Sequence, residues 1–377
     1  MKIVIAPDSY KGSLSALEVG KAMRQGILKV NPAIETILVP MADGGEGTVQ
    51  SLIDASGGKI IEITVHDPLY RKINAFYGIM GDGKTAVIEM AAASGLPLFR
   101  PEERNPLKTT TYGTGELIED AIKNGCSKVI LGLGGSATND GGIGMAQALG
   151  VQFFDKKGNK IGLGGGELSK IESIDLSKVN HKIYETEFIA ACDVDNPLCG
   201  INGASHVYGR QKGASEQEVI SLDKGLEHFA EVAEKQFNLN YKDFPGAGAA
   251  GGLGYAVMLF LKGKLERGID IVCLITGLAE KMEGADLVIT GEGRIDSQTA
   301  FGKTPFGVAQ IAKKKNIPVV ALAGSLGENY KSLYNKGFDG IFCLIDKPMS
   351  LEEAIDNSKE LIENATESIV RFWMSAK

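Results

Sequence analysis

The chain opens on a β-branched run, residues 2–6 (Lys-Ile-Val-Ile-Ala), stopped by Pro7 and Asp8, and the succession that follows restricts the fold more than any other feature. Ser15-Ala16-Leu17-Glu18 is a capping box flanked by the apolar pair Leu14 and Val19. Leu17, Met23, Ile27 and Val30 then recur on one helical face, which predicts a helix over about 15–30. Residues 34–39 read as a second strand, 46–56 as a second helix and 59–65 as a third strand. A βαβαβ succession of this kind builds a parallel sheet.

The same rhythm returns near the other end. Residues 286–290, 317–323 and 338–344 are apolar strand runs separated by helical patterns at 303–315 and 327–335. A second capping box, Ser350-Leu351-Glu352-Glu353, starts a last helix running to about 372. Between the two ends lie a strand pair at 73–79 and 85–90, a helix-strand unit at 114–134, a strand at 186–191 and long glycine-rich connections. A length of 377 residues exceeds what one core usually holds. The expected fold is therefore α/β with two domains: a Rossmann-like, doubly wound parallel sheet formed by 1–66 and 276–377, interrupted by an inserted α/β domain at 67–275. In such a sheet ligands bind beyond the carboxyl ends of the strands where strand order reverses. That reversal is expected between the strands at 2–6 and 286–290, which brings together the loops at 8–13, 43–48 and 290–296.

Composition removes several function classes. The formal charge of −7, with no large basic cluster, argues against a nucleic-acid surface. Lys313-Lys314-Lys315 ends a helical pattern, where cations suit the helix dipole. Cys126, Cys192, Cys199, Cys273 and Cys343 show no C-x-x-C spacing, so neither a disulfide framework nor a zinc site is expected. The apolar run at the start is too short for a signal-peptide core, and nothing approaches 18 consecutive apolar residues, so a cytoplasmic location away from membranes is expected. His66, His181, His206 and His228 lack metal-ligand spacing.

Glycine is the outlier at 49 residues, gathered at 44–47, 132–144, 162–166, 246–254 and 291–307. Glycine-rich turns at helix N-termini supply backbone amides to phosphates, and phosphoryl transfer further needs cations, carboxylates for Mg²⁺ and a base near the acceptor hydroxyl. The strand-to-helix segment 290–304 carries Glu292, Arg294, Asp296 and Lys303. Its tail, Ser297 to Thr304, has the length of a P-loop, but Ser297 stands where the first glycine belongs and Pro305 follows, so a true P-loop is not expected. Asp8, Lys11 and Ser13 follow the first strand, and Asp43 lies in the glycine-flanked turn Ala42 to Thr48. Residues 132–144 place Gly134, Gly135, Ser136 and Thr138 as an anion cradle, with Asn139 or Asp140 within reach of a metal. Asp193, after the strand at 186–191, is a candidate base or metal ligand, and the alanine-glycine run at 246–254 reads as close packing.

Taken in order, DSYKGSLSA at 8–16, PMADGGEGT at 40–48, GLGGSATNDGG at 132–142, CDVDNPLCG at 192–200 and TGEGRIDSQT at 290–299 resemble the family-I glycerate kinases. The resemblance implies a Rossmann-like domain interrupted by a second α/β domain, and ATP- and Mg²⁺-dependent phosphorylation of D-glycerate, with 2-phosphoglycerate adopted over the 3-phosphate. The roles expected of individual residues rest on chemistry. Asp193 or Asp296 accepts the hydroxyl proton, Lys11 and Arg294 hold the glycerate carboxylate, and Asp8 and Asp43 line the substrate. Gly134, Gly135, Ser136, Thr138 and Lys303 meet ATP, while Glu292, Asn139 and Asp140 serve Mg²⁺. The alternatives are another small hydroxy-acid or sugar kinase, or a non-catalytic two-domain binding protein. A dinucleotide oxidoreductase would want G-x-G-x-x-G after the first strand, where this chain has Pro7-Asp8-Ser9.

Overall fold

The computed structural model of the chain describes residues 1–45, 47–300 and 302–376; Glu46 and Phe301, which belong to two of the glycine-rich motifs, lie outside the described residues. Its strands are β1 (Lys2–Ile5), β2 (Glu35–Leu38), β3 (Lys59–His66), β4 (Lys72–Ile79), β5 (Thr85–Glu89), β6 (Lys128–Gly132), β7 (Gln152–Phe154), β8 (Ser173–Asp175), β9 (Glu187–Ala191), β10 (Lys264–Glu266), β11 (Leu287–Ile295), β12 (Val319–Leu326) and β13 (Gly340–Cys343). The helices that bear on the site are α1 (Ala16–Val30), α2 (Tyr112–Lys123), α3 (Ile143–Ala148), α4 (Glu216–Phe237), α5 (Ala249–Leu261), α6 (Thr304–Lys314) and α7 (Ser358–Ser375). Internal contacts divide the chain into two compact units, 1–43 with 50–56 and 268–377, and 44–49 with 57–267.

The first unit holds a five-stranded sheet of order β13-β12-β11-β1-β2, all neighbours parallel. Strand order reverses between β1 and β11, where Ile3, Val4 and Ile5 stand opposite Leu287, Val288 and Ile289. Ile3, Ile5, Leu287 and Ile289 share one core with Met23 and Ile27 of α1 and Ile362 and Val370 of α7. Val4 and Val288, which point to the other face by the period of two, are also fully buried, so both faces of the sheet are covered. Both predicted capping boxes form, at Ser15 with Glu18 and at Ser350 with Glu353. The last helix differs from expectation: it breaks at Asn357 between Leu351–Asp356 and α7. Residues expected to be helical at 327–335 form a 3₁₀ segment, Tyr330–Lys336.

The second unit holds a six-stranded sheet of order β10-β9-β6-β5-β4-β3, and a small β7-β8 pair. Here β3 corrects the sequence reading. It runs antiparallel to β4 instead of joining the first sheet as a third parallel strand. The reason is the connection: Asp67, 1% exposed, accepts from the amides of Leu69 and Arg71 and from the Arg71 guanidinium, closing a tight turn. Parallel neighbours need a crossover of a dozen residues or more, so a turn this short fits only an antiparallel pair. The chain passes between the compact units at 43/44, 49/50, 56/57 and 267/268, where the sequence suggested 66/67 and 275/276. The core of this unit includes Phe153, Phe229, Tyr255 and Phe260, with Phe153 edge-on to Phe229 at 6.1 Å and to Phe260 at 5.8 Å. Helix α5 is buried on all sides.

The first sheet carries its site on the strand-end pairing, and Thr290 is a measurable part of it: its Oγ1, fully buried, donates to the Ala6 carbonyl at 2.7 Å. Thr290→Val removes that donor while keeping the shape, and the expected loss is about 1–2 kcal/mol of unfolding free energy by urea denaturation.

Candidate active site

Beyond the carboxyl ends of β1 and β11 the pairing continues into the loops. The amide of Ala6 donates to the Ile289 carbonyl and that of Asp8 to the Gly291 carbonyl, each at 2.8 Å, while the Met41 amide after β2 donates to the Pro7 carbonyl at 3.0 Å. Tyr10 is buried and its hydroxyl donates to the Leu322 carbonyl at 2.9 Å, tying the same loop to β12. A side chain at Gly291 would meet that hydroxyl and the Leu322 carbonyl, so the close approach itself requires glycine.

These loops hold a group of carboxylates together with Lys11, Arg294 and Lys303. Asp8 is 7% exposed, with Oδ2 accepting from Thr304 Oγ1 at 2.5 Å and Oδ1 from the Ser9 amide at 2.6 Å. Burial, reinforced by the charge of Asp43, pushes its pKa up to about 6 despite those bonds and the nearby Lys11. Glu292 accepts from Thr299 Oγ1 at 2.7 Å and lies 3.9 Å from Lys303 Nζ. Its pKa is pushed up to about 7, chiefly by burial, with Asp8 and Asp43 adding to the effect and Thr299 and Lys303 opposing it. Lys303 is the N-cap residue of α6. Arg294 leaves two thirds of its side chain exposed and lies 3.4 Å from Asp296, whose other oxygen accepts from the Gln298 amide. Asp8, Lys11, Asp43 and Glu292, on loops expected from sequence to converge, thus act on one another's charge in the structure, and Lys303 joins them.

In the second unit, β6 leads into the turn at 132–144. Gly134 and Gly135 are exposed, Gly135 is left-handed (φ 74°), and Ser136 bridges to Gly95. The residues deeper in the turn depart from expectation. Asp140 is fully buried: Oδ2 accepts from the Thr111 amide and hydroxyl, at 2.8 and 2.9 Å, and more distantly from the Thr110 hydroxyl and the Gly144 amide, while Oδ1 accepts from the Gly142 amide. A fully buried carboxylate with both oxygens engaged in this way ties the turn to the start of α2, which speaks against the expected metal role. Asn139 is also fully buried; its Nδ2 donates to Ser205 Oγ at 2.9 Å, while its Oδ1 meets no hydrogen-bond partner among the described residues. Thr138 has no exposed surface, so its side chain does not reach a bound nucleotide in this conformation. Asp193 is exposed on the loop after β9. The 246–254 run packs closely, as expected: a side chain at Gly251 (φ 71°) would collide with the Thr138 carbonyl.

Sequence reasoning missed Thr304 and Thr299, the hydroxyls on Asp8 and Glu292, although Thr304 ends the near-P-loop. It also missed Thr109-Thr110-Thr111, a hydroxyl run just before α2 that was a readable signal. Lys212, 2% exposed, gives no signal at all, since Arg210-Gln211-Lys212-Gly213 reads as a solvated loop. Among the described residues no three His, Cys, Asp or Glu side chains could together hold a metal ion, and no helix is long and apolar enough to cross a membrane.

The profile of the family described as "Glycerate kinase family" matches residues 3–374. The chain belongs to the glycerate kinase family. Membership makes it a kinase with glycerate as acceptor and ATP as phosphoryl donor. Among its relatives, the glycerate kinase of Bacillus subtilis is 51% identical over 377 residues, covering 100% of this chain and 99% of that one. The glycerate 2-kinase of Escherichia coli is 50% identical over 369 residues, covering 98% and 97%. A crystal structure assigned to glycerate kinase 2 of Salmonella typhimurium LT2 superposes with a TM-score of 0.93 at 46% identity, over 100% of this chain and 99% of that one.

The raised carboxyls give this family member a pH signature. Unfolded, Asp8 and Glu292 ionise near their usual 3.8 and 4.5; folded, they hold their protons to about 6 and about 7. Their contribution to stability is therefore complete below about pH 4 and is lost as pH rises to about 7. Thermal unfolding without ligands should show a midpoint that falls over this window. In Glu292→Gln the fall should be smaller, and equal falls in the two proteins would sink the assignment.

Proposed function

We propose that this kinase transfers the terminal phosphoryl group of ATP to the 2-hydroxyl of D-glycerate, giving 2-phosphoglycerate, with Mg²⁺ accompanying ATP. The observation that carries the choice of hydroxyl is the 50% identity, over 98% of the chain, to the E. coli glycerate 2-kinase. The reaction takes place in the cytoplasm in this reading, where ATP is available.

The residues fit a divalent cation. Asp8 and Glu292 are hard oxygen donors whose charge is suppressed by burial and by Asp43, so a cation there would relieve an existing cost. Mg²⁺ commonly takes one or two carboxylates together with phosphate oxygens and water, which suits a site without three clustered protein ligands. Asp8 and Asp43 are the residues we assign to it, and when bound it would neutralise charge on the transferring phosphoryl oxygens.

The chain's own groups supply the rest. Glu292, with a pKa near the working pH, is suited to take the hydroxyl proton, held in place by Thr299. Asp296 is the competing base, already engaged with Arg294 and the Gln298 amide, and Asp193 is the competitor in the second unit. Arg294 and Lys11, both largely exposed, are assigned to the substrate carboxylate. Lys303 at the N-terminus of α6 and the amides of the turn made by the exposed Gly134 and Gly135 and by Ser136 are assigned to phosphates.

Turnover with ATP, Mg²⁺ and D-glycerate, with the product identified by ³¹P NMR, tests both parts. The product should be the 2-phosphate; accumulation of 3-phosphoglycerate contradicts the regiochemistry. Glu292→Gln should lower kcat by about 10²-fold or more, with Asp296→Asn and Asp193→Asn less affected. The reverse ranking would move the base to whichever aspartate costs most.

A further inference from the structure

Lys212 ends a short 3₁₀ turn, Arg210–Lys212, and is 2% exposed although Arg210 and Gln211 beside it face solvent. Its Nζ donates to the Thr138 carbonyl at 2.7 Å. A buried ammonium is expensive, and an apolar side chain of the same length would fill the space without that cost. Asp140 takes its hydrogen bonds from Thr111, Gly142 and Gly144 and acts on Lys212 through charge without a bond between them, so the direct partner of the Lys212 amine is the Thr138 carbonyl.

The bond is one of several that converge on the same stretch of backbone. Thr109 Oγ1 donates to the Ala137 carbonyl at 2.9 Å, Ser205 receives Asn139, and the Gly141 amide donates to the Gly251 carbonyl at 2.9 Å. Gly251 approaches the Thr138 carbonyl so closely that a Cβ there would collide with it, in a run where Ala250, Gly251 and Gly252 all have positive φ. A left-handed alanine is a strained choice that persists only where its surroundings over-determine it. Two buried oxygens in the stretch, Thr138 Oγ1 and Asn139 Oδ1, have no hydrogen-bond partner among the described residues, so the segment is held in place at a polar cost.

We propose that Lys212 is a positioning residue for phosphoryl transfer: by gripping the Thr138 carbonyl it holds the Gly134–Ser136 turn in the form that offers its amides to ATP phosphates. This rests on the assignment of that turn to phosphates made above. Lys212 acts through the backbone and touches neither substrate, so its loss should act on nucleotide binding first.

The test is hydrogen–deuterium exchange by mass spectrometry on the full chain, wild type and Lys212→Met, each with and without ADP, together with steady-state kinetics. In the wild type ADP should slow exchange over 132–144. In ligand-free Lys212→Met, exchange over 132–144 should rise about tenfold or more while β9 is unchanged. The KM for ATP should rise about tenfold with that for glycerate unaltered. Unchanged exchange over 132–144 in the variant, or a KM for ATP that stays put, overturns the role of Lys212 even where ADP protects the turn. Absence of ADP protection in the wild type overturns the phosphate assignment itself, and the proposal with it. Should Lys212→Met not fold, Lys212→Leu, which likewise removes the donor to the Thr138 carbonyl, is read in the same way. Loss of the fold in both variants also overturns the proposal, because the residue would then be required by the core and not by the turn.

Discussion

The hydrogen bond from the Asp8 amide to the Gly291 carbonyl joins two loops separated by more than 280 residues of chain, and the candidate site of the first unit hangs on it. It is the last rung of the parallel pairing that begins at Ile3 and Leu287. Through it Asp8 and Glu292 leave adjacent strands side by side, and Thr304 and Thr299 complete their hydrogen bonding from the segment that follows β11. Tyr10 secures the same loop against β12. Two carboxyls are thus buried where like charges meet, which works against the stability of the ligand-free protein at neutral pH and favours whatever brings positive charge or a proton.

What was legible in the sequence was local or periodic. The capping boxes at Ser15 and Ser350 depend on side chains three residues apart, and both form. The meeting of β1 with β11 followed from the βα rhythm at the two ends of the chain, because right-handed parallel crossovers leave few topologies open. What stayed hidden depended on partners far away in the chain. Period-two alternation marks β3 as a strand but carries no sign of direction, and the Asp67 turn decides it. Asp140 looks like a metal ligand next to its glycines. Only the threonines at 110 and 111, some 30 residues earlier, reveal that its Oδ2 is engaged.

Lys212 shows the same limit from the other side. A lysine between a glutamine and a glycine reads as solvated surface, and nothing nearby in sequence announces that its amine donates to the Thr138 carbonyl. The glycine run at 246–254 was read as packing, and packing is what it does; the backbone it packs against is that same carbonyl. The glycine-rich turn and the alanine-glycine run are therefore two halves of one close contact.

The charge state of Glu292 and Asp8 is the point on which the proposed chemistry of the first unit rests. It can be read directly by ¹³C NMR titration of their carboxyl carbons, assigned with Glu292→Gln and Asp8→Asn. In the ligand-free protein the two should titrate near 7 and near 6, and addition of Mg²⁺ with ATP should shift the Asp8 titration downwards. Titration of both within the ordinary carboxylate range before any ligand is added, or an Asp8 pKa indifferent to Mg²⁺ and ATP, would contradict the assignment of this cluster to the reaction.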